Sequence, residues 1–344
     1  MLRAYERFNG TRICSKDTVV TQAPSTRGAR DPLAWLGRHA AAALPAGLAL
    51  GLVVPDLAAL ARPLLAPALV AMMALSMIRL DLGRVAAEAR RPWLIVGTLA
   101  WLMVGSPLAA AGIGTGAGLS GAALAAVVLS SAAPPILASL AFALMLGLRA
   151  ELTLVVVMLA TVACPLTLPP LVGWLVGLEL AVGVADLMGR LALLIGLATL
   201  IGRGSRAALG PDRVARLADH LDGLLVIALT VFAVSIMDGV TARLFAEPAR
   251  FAWLTALVLM VSLLHQAAPL LAWRWVDRPT LVTVAMISGY RNMGIIIAAL
   301  GEAVDPDIFL FFVVAQVPIY CLPVILKPVY RRLGKTSGPT ANLP

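Results

Sequence analysis

The chain has 344 residues, of which 60% are hydrophobic and 13% are charged, and its formal net charge is +9. A mean hydropathy of +0.93 excludes an ordinary soluble domain. The three cysteines form no C-x-x-C pair, so neither a disulfide framework nor a zinc site is indicated. The distribution of the positive charge, described below, argues against nucleic acid as a partner.

Ten apolar stretches follow one another along the chain, each long enough to cross a hydrocarbon layer of about 30 Å as a helix. The sequence therefore predicts an all-α membrane protein. Residues 1–37 are polar and contain no apolar core, so they predict a disordered cytoplasmic tail and not a signal peptide. Residues 331–344 form a second cytoplasmic tail. The stretches, numbered spans 1 to 10, cover about residues 38–54, 57–78, 92–113, 119–148, 152–177, 180–202, 220–238, 251–272, 280–301 and 307–328.

Positive charges lie on alternate connections between these spans. The two tails and the connections after spans 2, 4, 6 and 8 contain 22 of the 27 lysines and arginines. The other connections hold Arg62, Arg243 and Arg250 alongside acidic residues. Because basic residues stay on the cytoplasmic side, this asymmetry predicts an even number of spans with both termini in the cytoplasm. The expected location is a bacterial-type cytoplasmic (inner) membrane.

The chain divides into two halves of five spans, residues 38–177 and 178–330. An odd number of spans per half means that the halves enter the membrane with opposite orientations. The five-residue spacing of Pro165 and Pro170 in span 5 recurs in span 10 as Pro318 and Pro323. These features predict two inverted five-helix repeats.

One span in each half is interrupted, span 4 by Pro134-Pro135 and span 9 by the run 288–292. Because proline cannot donate a backbone hydrogen bond, the carbonyls of Ser130 and Ser131 should be free to face a cation or water. In span 9, Gly289 should supply backbone freedom. Such a matched pair of broken helices is typical of the binding site of a secondary transporter. A kink that serves only helix packing is the alternative.

The segments around these breaks resemble the bile acid:sodium symporter family. The run S-A-A-P-P-I-L-A-S at 131–139 is similar to A-P-G-G-T-A-S-N in the family's fourth span, and C-P-L-T-L-P at 164–169 to A-P-L-L-T-P in its fifth. The run I-S-G-Y-R-N at 287–292 is similar to E-T-G-x-Q-N in its ninth. Over about residues 40–330 the resemblance implies a ten-span inverted-repeat fold in which the broken spans 4 and 9 cross. It also implies a core of spans 3–5 and 8–10 that moves against a panel of spans 1, 2, 6 and 7.

The same resemblance implies where sodium ligands would lie, and most of them are replaced. The glutamate shared by the family's two sodium sites falls at Ile287, its ninth-span glutamine at Arg291, and its third-span glutamine at Trp101 or Leu102. A guanidinium repels a cation and apolar side chains supply no ligand, so sodium coupling is doubted. Coupling to protons, no coupling and a modified sodium mode stay open. We hypothesise that Arg291 is a built-in cation that holds an anionic substrate group by a bidentate contact.

The sequence therefore predicts a secondary transporter of a small organic anion that works by alternating access in a lipid bilayer, without enzymatic activity, cofactor or metal site. The candidate ion-coupling residues are Ser130, Ser131, Ser139, Thr153 and Asp186. The candidate substrate-binding residues are Pro134, Pro135, Ser139, His265, Ser288, Gly289, Arg291, Asn292 and Gln316.

Several alternatives compete with the prediction of a secondary transporter. A transport-inactive sensor or scaffold would retain the fold while losing ion ligands. A metalloid-oxyanion exporter of the arsenite-permease group would place a cysteine in the broken span 4, which has none. A membrane-embedded enzyme would need two carboxylates or a metal cluster within the membrane, where we expect only Asp186 to lie deep. Asp186 and Arg190 are four residues apart, so they predict an ion pair on one helical face, with a proton relay as the alternative. For His265 the alternative is a packing role. For Arg291 the alternative is that it pairs with Glu302 or with a lipid headgroup.

Overall fold

The computed structural model describes residues 31–38, 40–78, 92–176 and 182–334. Within these ranges the chain is helical and contains no strand. The helices are α1 Pro32–Arg38, α2 Ala40–Val53, α3 Pro55–Ala61, α4 Leu65–Ile78, α5 Pro92–Ala100, α6 Ser106–Gly116, α7 Gly121–Ala132, α8 Ser139–Leu146, α9 Ala150–Val176, α10 Val184–Leu209, α11 Pro211–Arg216, α12 Ala218–Ser235, α13 Val240–Ala246, α14 Pro248–Ala272, α15 Arg278–Gly289, α16 Met293–Leu300, α17 Pro306–Ile325 and α18 Lys327–Leu333.

Seven helical stretches of the described chain are long and apolar enough to cross a membrane. Short turns join some of the helices into one stretch, as the 3-10 turn Arg62–Leu64 joins α3 to α4. The protein is therefore an all-α, multi-pass membrane protein, as its composition predicts. The stretches are Pro55–Ile78, Pro92–Gly116, Ala150–Val176, Val184–Leu209, Ala218–Ala246, Pro248–Ala272 and Pro306–Ile325.

Both predicted breaks are present. Span 4 consists of α7 and α8, which end and begin on either side of residues 133–138. Span 9 consists of α15 and α16, with residues 290–292 between them. In each case two half-helices replace one continuous helix, because the prolines in span 4 and the Gly-Tyr-Arg-Asn run in span 9 interrupt the helical hydrogen bonding.

The ends of the chain differ in part from the predicted tails. Helix α1 lies within the stretch expected to be disordered and packs on α12, where Leu33 leaves no room for a side chain at Gly223. Helix α18 likewise extends to Leu333, inside the predicted second tail. Residues 1–30 and 335–344, which make up the remainder of the two predicted tails, lie outside the described residues.

Two groups of helix contacts describe most of the packing. In the first group, α12 packs along α1, α2 and α4, and α4 packs along α10, which brings spans 1, 2, 6 and 7 together. In the second group, α7 packs on α6, α9 and α17, and α14 packs on α15 and α17, which brings spans 3–5 and 8–10 together. Contacts of α10 with α9 and α16 join the two groups.

Long-range polar contacts join helix ends that the charge pattern assigns to the same side of the membrane. Each of these contacts brings its two helix ends to the same side of the helix bundle. Arg62 pairs with Asp238 at 2.6 Å and Arg250 pairs with Asp307 at ends predicted to be external. Arg206 Nη1 donates to Ile78 O at 2.7 Å, and Arg149 Nη1 donates to Thr280 Oγ1 at 2.7 Å, at ends predicted to be cytoplasmic.

Candidate functional site

The two unwound stretches meet and run antiparallel to one another, with Pro135 opposite Arg291. The amide of Ile136 donates to the carbonyl of Tyr290 at 3.0 Å, and the amide of Asn292 donates to the carbonyl of Pro134 at 2.7 Å. Each break therefore satisfies backbone groups that the other leaves free, which non-helical backbone in an apolar environment requires. The contact between the two breaks, which the family resemblance implies, is present in the structure.

The guanidinium of Arg291 is buried beside this crossing, and the residue is 3% exposed. Its Nε donates to the carbonyl of Ser288 at 2.8 Å. Its Nη1 donates to the carbonyls of Leu102 at 3.2 Å and Ala133 at 3.0 Å. Its Nη2 donates to Ser106 Oγ at 2.8 Å. One cation is thus enclosed by four oxygens from spans 3, 4 and 9, a set we call the oxygen cage.

The cage carbonyls are available because their helical donors are missing or used elsewhere. The helical partner of Ser288 O would be the amide of Asn292, which bonds to Pro134 O instead. Helix α7 ends at Ala132, so Ala133 O has no following helical turn. In span 3 a π-helical turn covers Trp101–Gly105, and the amide of Ser106 bonds to Trp101 O. The next residue is Pro107, which has no amide hydrogen to offer Leu102 O.

Within the described residues no carboxylate pairs with Arg291, so its charge is balanced by the dipoles of the cage oxygens. Four hydrogen bonds and nearly complete burial contradict the alternative of a lipid headgroup as its partner. The side chain of Glu302, the other alternative, lies outside the described ones. Four of the five guanidinium N–H groups are engaged by protein oxygens in this conformation. The expected bidentate contact with a substrate would require some of these bonds to break.

Residues of span 3 reach the same crossing. Trp101 Nε1 donates to Ser288 Oγ at 3.1 Å, and Ser288 Oγ donates to Val284 O at 2.7 Å. Trp101 and Leu102, the two positions at which the family's third-span glutamine was placed, therefore both contact the ninth span. The sequence reasoning missed Ser106. The Ser-Pro pair at positions 106 and 107, in the middle of an apolar span, was the signal that could have indicated a distorted helix there.

Arg291 also lines a small cavity of about 20 Å³ beside the crossing. Its polar lining residues are Ser130, Ser262, His265 and Arg291, and the remainder of its wall includes Gly289 and apolar residues of spans 8 and 10. His265 Nε2 lies 2.9 Å from Ser131 Oγ on the end of α7. A cavity of this size holds about one water molecule. Ser130, Ser131 and His265 are thus brought together with Arg291, as predicted.

Gly289 has a different role from the one expected. It is not among the described glycines with positive φ, so left-handed backbone is not what requires it. A Cβ atom at this position would lie 2.6 Å from Gln266 Nε2 and closer still to Gln266 Cγ. The Gln266 side chain cannot easily move away, because it donates to Ser262 O at 3.1 Å and accepts a hydrogen bond from the hydroxyl of Tyr330. Gly289 permits the close approach of spans 8 and 9.

Ser139 in α8 and Gln316 in α17 are both buried. The hydroxyl of Ser139 has no hydrogen-bond partner among the described residues. Gln316 Nε2 donates to Phe312 O of its own helix at 3.1 Å. Thr153 Oγ1 likewise bonds within its own chain segment, to Arg149 O at 3.0 Å. The backbone at Ser130 and Ser131 was predicted to offer free carbonyls, whereas the donors at the crossing reach the carbonyls of Ala133 and Pro134.

The expectation that Asp186 lies deep in the membrane is wrong. Asp186 is in the first turn of α10, and its side chain is 56% exposed. The predicted pair with Arg190 is present, with Arg190 Nη2 at 3.0 Å from Asp186 Oδ2. The four-residue spacing correctly placed both groups on one helical face, but both side chains are about half exposed, and Arg190 Nη1 lies 3.5 Å from Ala299 O of α16. The structure does not bring Asp186 to the crossing with the other candidate ion-coupling residues.

No protein-family model matches the chain, and no curated protein matches it significantly.

Proposed function

We propose that this protein is a secondary carrier for a small organic anion, that it works by alternating access, and that Arg291 takes the place of a bound sodium ion. The fold would be that of the bile acid:sodium symporter family, with ten spans in two inverted repeats. Spans 4 and 9 would each cross the membrane as two half-helices. Both termini would be cytoplasmic, in a bacterial-type inner membrane.

The observation that carries the proposal is the oxygen cage around a buried cation at the crossing of two broken helices. Three carbonyls and one hydroxyl from spans 3, 4 and 9 form the kind of oxygen set that a sodium ion would use. Here the guanidinium fills it. A carrier of this type would hold its crossing together without binding sodium, which fits the apolar Ile287 at the position of the family's glutamate.

The helix packing supports the inverted repeat. A two-fold repeat exchanges spans 1 and 6 and spans 2 and 7, so a contact between spans 1 and 7 requires an equivalent contact between spans 6 and 2. Both contacts are present, as α2 with α12 and as α10 with α4. The separation into a panel and a core, joined through few helices, is the division that a rocking movement of one group against the other would use.

The electrostatics of the crossing favour an anion as substrate. Helices α8 and α16 both begin at the crossing, so their positive ends point toward it. The guanidinium adds a full positive charge, and in the described part of the chain it has no carboxylate partner. The negative ends of α7 and α15 also lie at the crossing, but carbonyls at both ends already accept hydrogen bonds from the guanidinium. The guanidinium would repel a cationic substrate and attract a carboxylate or sulfonate.

One observation favours a second candidate, a sensor or scaffold that has lost transport. The guanidinium of Arg291 already makes four hydrogen bonds to the protein at the crossing. The adjacent cavity of about 20 Å³ holds no more than a water molecule. A carrier must open this site during its cycle, whereas a scaffold need not. Transport measurements separate the two.

The test is counterflow in proteoliposomes containing the purified protein. Vesicles are loaded with unlabelled acetate, pyruvate, succinate or methanesulfonate, and entry of the same labelled anion is followed in sodium chloride and in choline chloride. The proposal expects entry of at least one anion above protein-free vesicles, at equal rates in the two salts. Strict sodium dependence would contradict the role given to Arg291, and absence of counterflow across a broad panel would favour the scaffold.

A further inference from the structure

We propose that His265 carries the ion coupled to transport and that this ion is a proton. The proposal rests on the proposed function and deepens it by naming the coupling residue at the same site. It comes from the small cavity beside the crossing, which His265 and Arg291 both line.

The hydrogen bonds around Ser131 determine which nitrogen of His265 holds hydrogen. Ser131 Oγ lies 2.6 Å from Val127 O, and a carbonyl has no hydrogen of its own, so the serine hydroxyl donates there. Its single hydrogen is thereby used. The contact of 2.9 Å between Ser131 Oγ and His265 Nε2 then requires the imidazole to donate. In the neutral imidazole the proton-accepting atom is Nδ1.

The groups around His265 leave Arg291 as its charged neighbour. Its own helix α14 has Arg250 at the far end, paired with Asp307 of α17. Helix α7 contains no ionisable side chain, and α17 also has Cys321, which is exposed. Helix α15 leads to Tyr290, whose hydroxyl contacts that of Tyr330 at 3.0 Å. Within the described residues, no carboxylate compensates a proton on this imidazole.

This arrangement links proton binding to anion binding. With the cavity empty of anions, a proton on His265 would place a second positive charge beside Arg291, so the neutral imidazole is favoured. When the site opens during the cycle, a carboxylate or sulfonate that binds between the two groups removes that repulsion and attracts the proton. The loaded site then contains one anion and one added proton on Nδ1, and the proton leaves on the side where the anion leaves. Transport of a monoanion would be electroneutral.

The first test measures accumulation driven by a pH gradient in proteoliposomes, using methanesulfonate and succinate monoanion as probes. A gradient of one pH unit, alkaline inside, should concentrate the monoanion about tenfold at one proton per anion. His265→Gln retains a donor for Ser131 but cannot take up a proton, so its steady-state ratio should fall to about one whatever its rate. His220→Gln, at a histidine paired with Asp31, is the matched control and should retain the tenfold ratio.

The second test needs no transport. The chain has three histidines, so nitrogen-15 histidine labelling gives few signals, and the His265→Gln spectrum identifies that of His265. Without anion the signal should be that of a neutral ring with hydrogen on Nε2, and methanesulfonate should shift it toward the protonated form. A neutral ring with hydrogen on Nδ1, or no response in a protein that performs counterflow, overturns the inference.

The outcomes separate this inference from the proposed function. If the wild type exchanges anions but does not respond to the pH gradient, or if His265→Gln still concentrates them tenfold, proton coupling at His265 is wrong while the carrier remains. If no anion is exchanged by the wild type and methanesulfonate leaves the His265 signal unchanged, both proposals fail.

Discussion

Replacement of Arg291 by glutamine should destabilise the protein substantially, because the guanidinium supplies four hydrogen bonds at the crossing. Two of these bonds go to carbonyls of spans 3 and 4 that have no helical donor, Leu102 at 3.2 Å and Ala133 at 3.0 Å. A hydrogen bond to a charged group contributes about 1.5–3 kcal/mol, and glutamine can replace one or two of the four. The cost of burying the guanidinium is recovered in the variant, which reduces the net loss. We expect a decrease of about 3 kcal/mol in the free energy of unfolding.

The measurement is thermal unfolding of the detergent-solubilised protein, followed by tryptophan fluorescence. Arg203→Gln is the matched control, because Arg203 is exposed in the C-terminal part of α10 and its replacement should leave the melting temperature nearly unchanged. If Arg291→Gln melts at the same temperature as Arg203→Gln, the oxygen cage does not hold the crossing together and the reasoning is refuted.

A double variant extends the same prediction to the ion. Ile287→Glu combined with Arg291→Gln restores the acid and amide that the family resemblance implies at these positions. The wild type should melt at the same temperature in sodium chloride and choline chloride. The double variant should be stabilised by sodium, by about 2.7 kcal/mol at a hundredfold excess over its dissociation constant. Unchanged transport and unchanged sodium response in the double variant would remove Arg291 from the mechanism.

Two further predictions concern the neighbours of the crossing. Gly289→Ala should lower the free energy of unfolding by about 1–3 kcal/mol, because its Cβ would lie 2.6 Å from Gln266 Nε2. Adding Gln266→Ala to this variant should relieve the clash. If the shifts in melting temperature of the two single variants simply add in the double variant, the clash is not the cause. Asp277 caps α15: partial burial opposes its ionisation, but hydrogen bonds from Thr280 and the charge of Arg149 outweigh it, so its pKa lies below the ordinary 3.8. The ionised carboxylate therefore stabilises the fold fully above its unfolded pKa of 3.8, and this stabilisation is lost as the pH falls through the lowered pKa of the folded state. The advantage of the wild type over Asp277→Ala in melting temperature should therefore shrink as the pH is lowered from 5 to below 3.8. A gap that is constant over this range would contradict that assignment.

The elements of this protein were predictable because their causes are local in the sequence. A run of about twenty apolar residues must be helical in lipid, since no water is present to satisfy its backbone. Pro134 and Pro135 interrupt such a helix wherever it packs, because they lack the amide hydrogen. The positions of both breaks, and the presence of one arginine within the second, follow from the residues themselves.

The partners of these residues were not predictable in the same way. Arg291 bonds to carbonyls 158 and 189 positions earlier in the chain, and no local pattern specifies which of them will lie near it. Ser106 was missed for this reason. The depth assigned to Asp186 was wrong for a related reason. Helical spacing establishes that Asp186 and Arg190 share a face, but it does not establish whether that face is buried or exposed.

The sequence by itself thus determined where the helices run, where two of them break and which residues lie at the breaks, because each depends on neighbours within a few positions. Only the tertiary structure decided which backbone groups of the two breaks pair with each other and that a guanidinium occupies the oxygens they leave. That outcome depends on how spans 3, 4 and 9 approach one another, and such an approach is governed by the packing of the whole core.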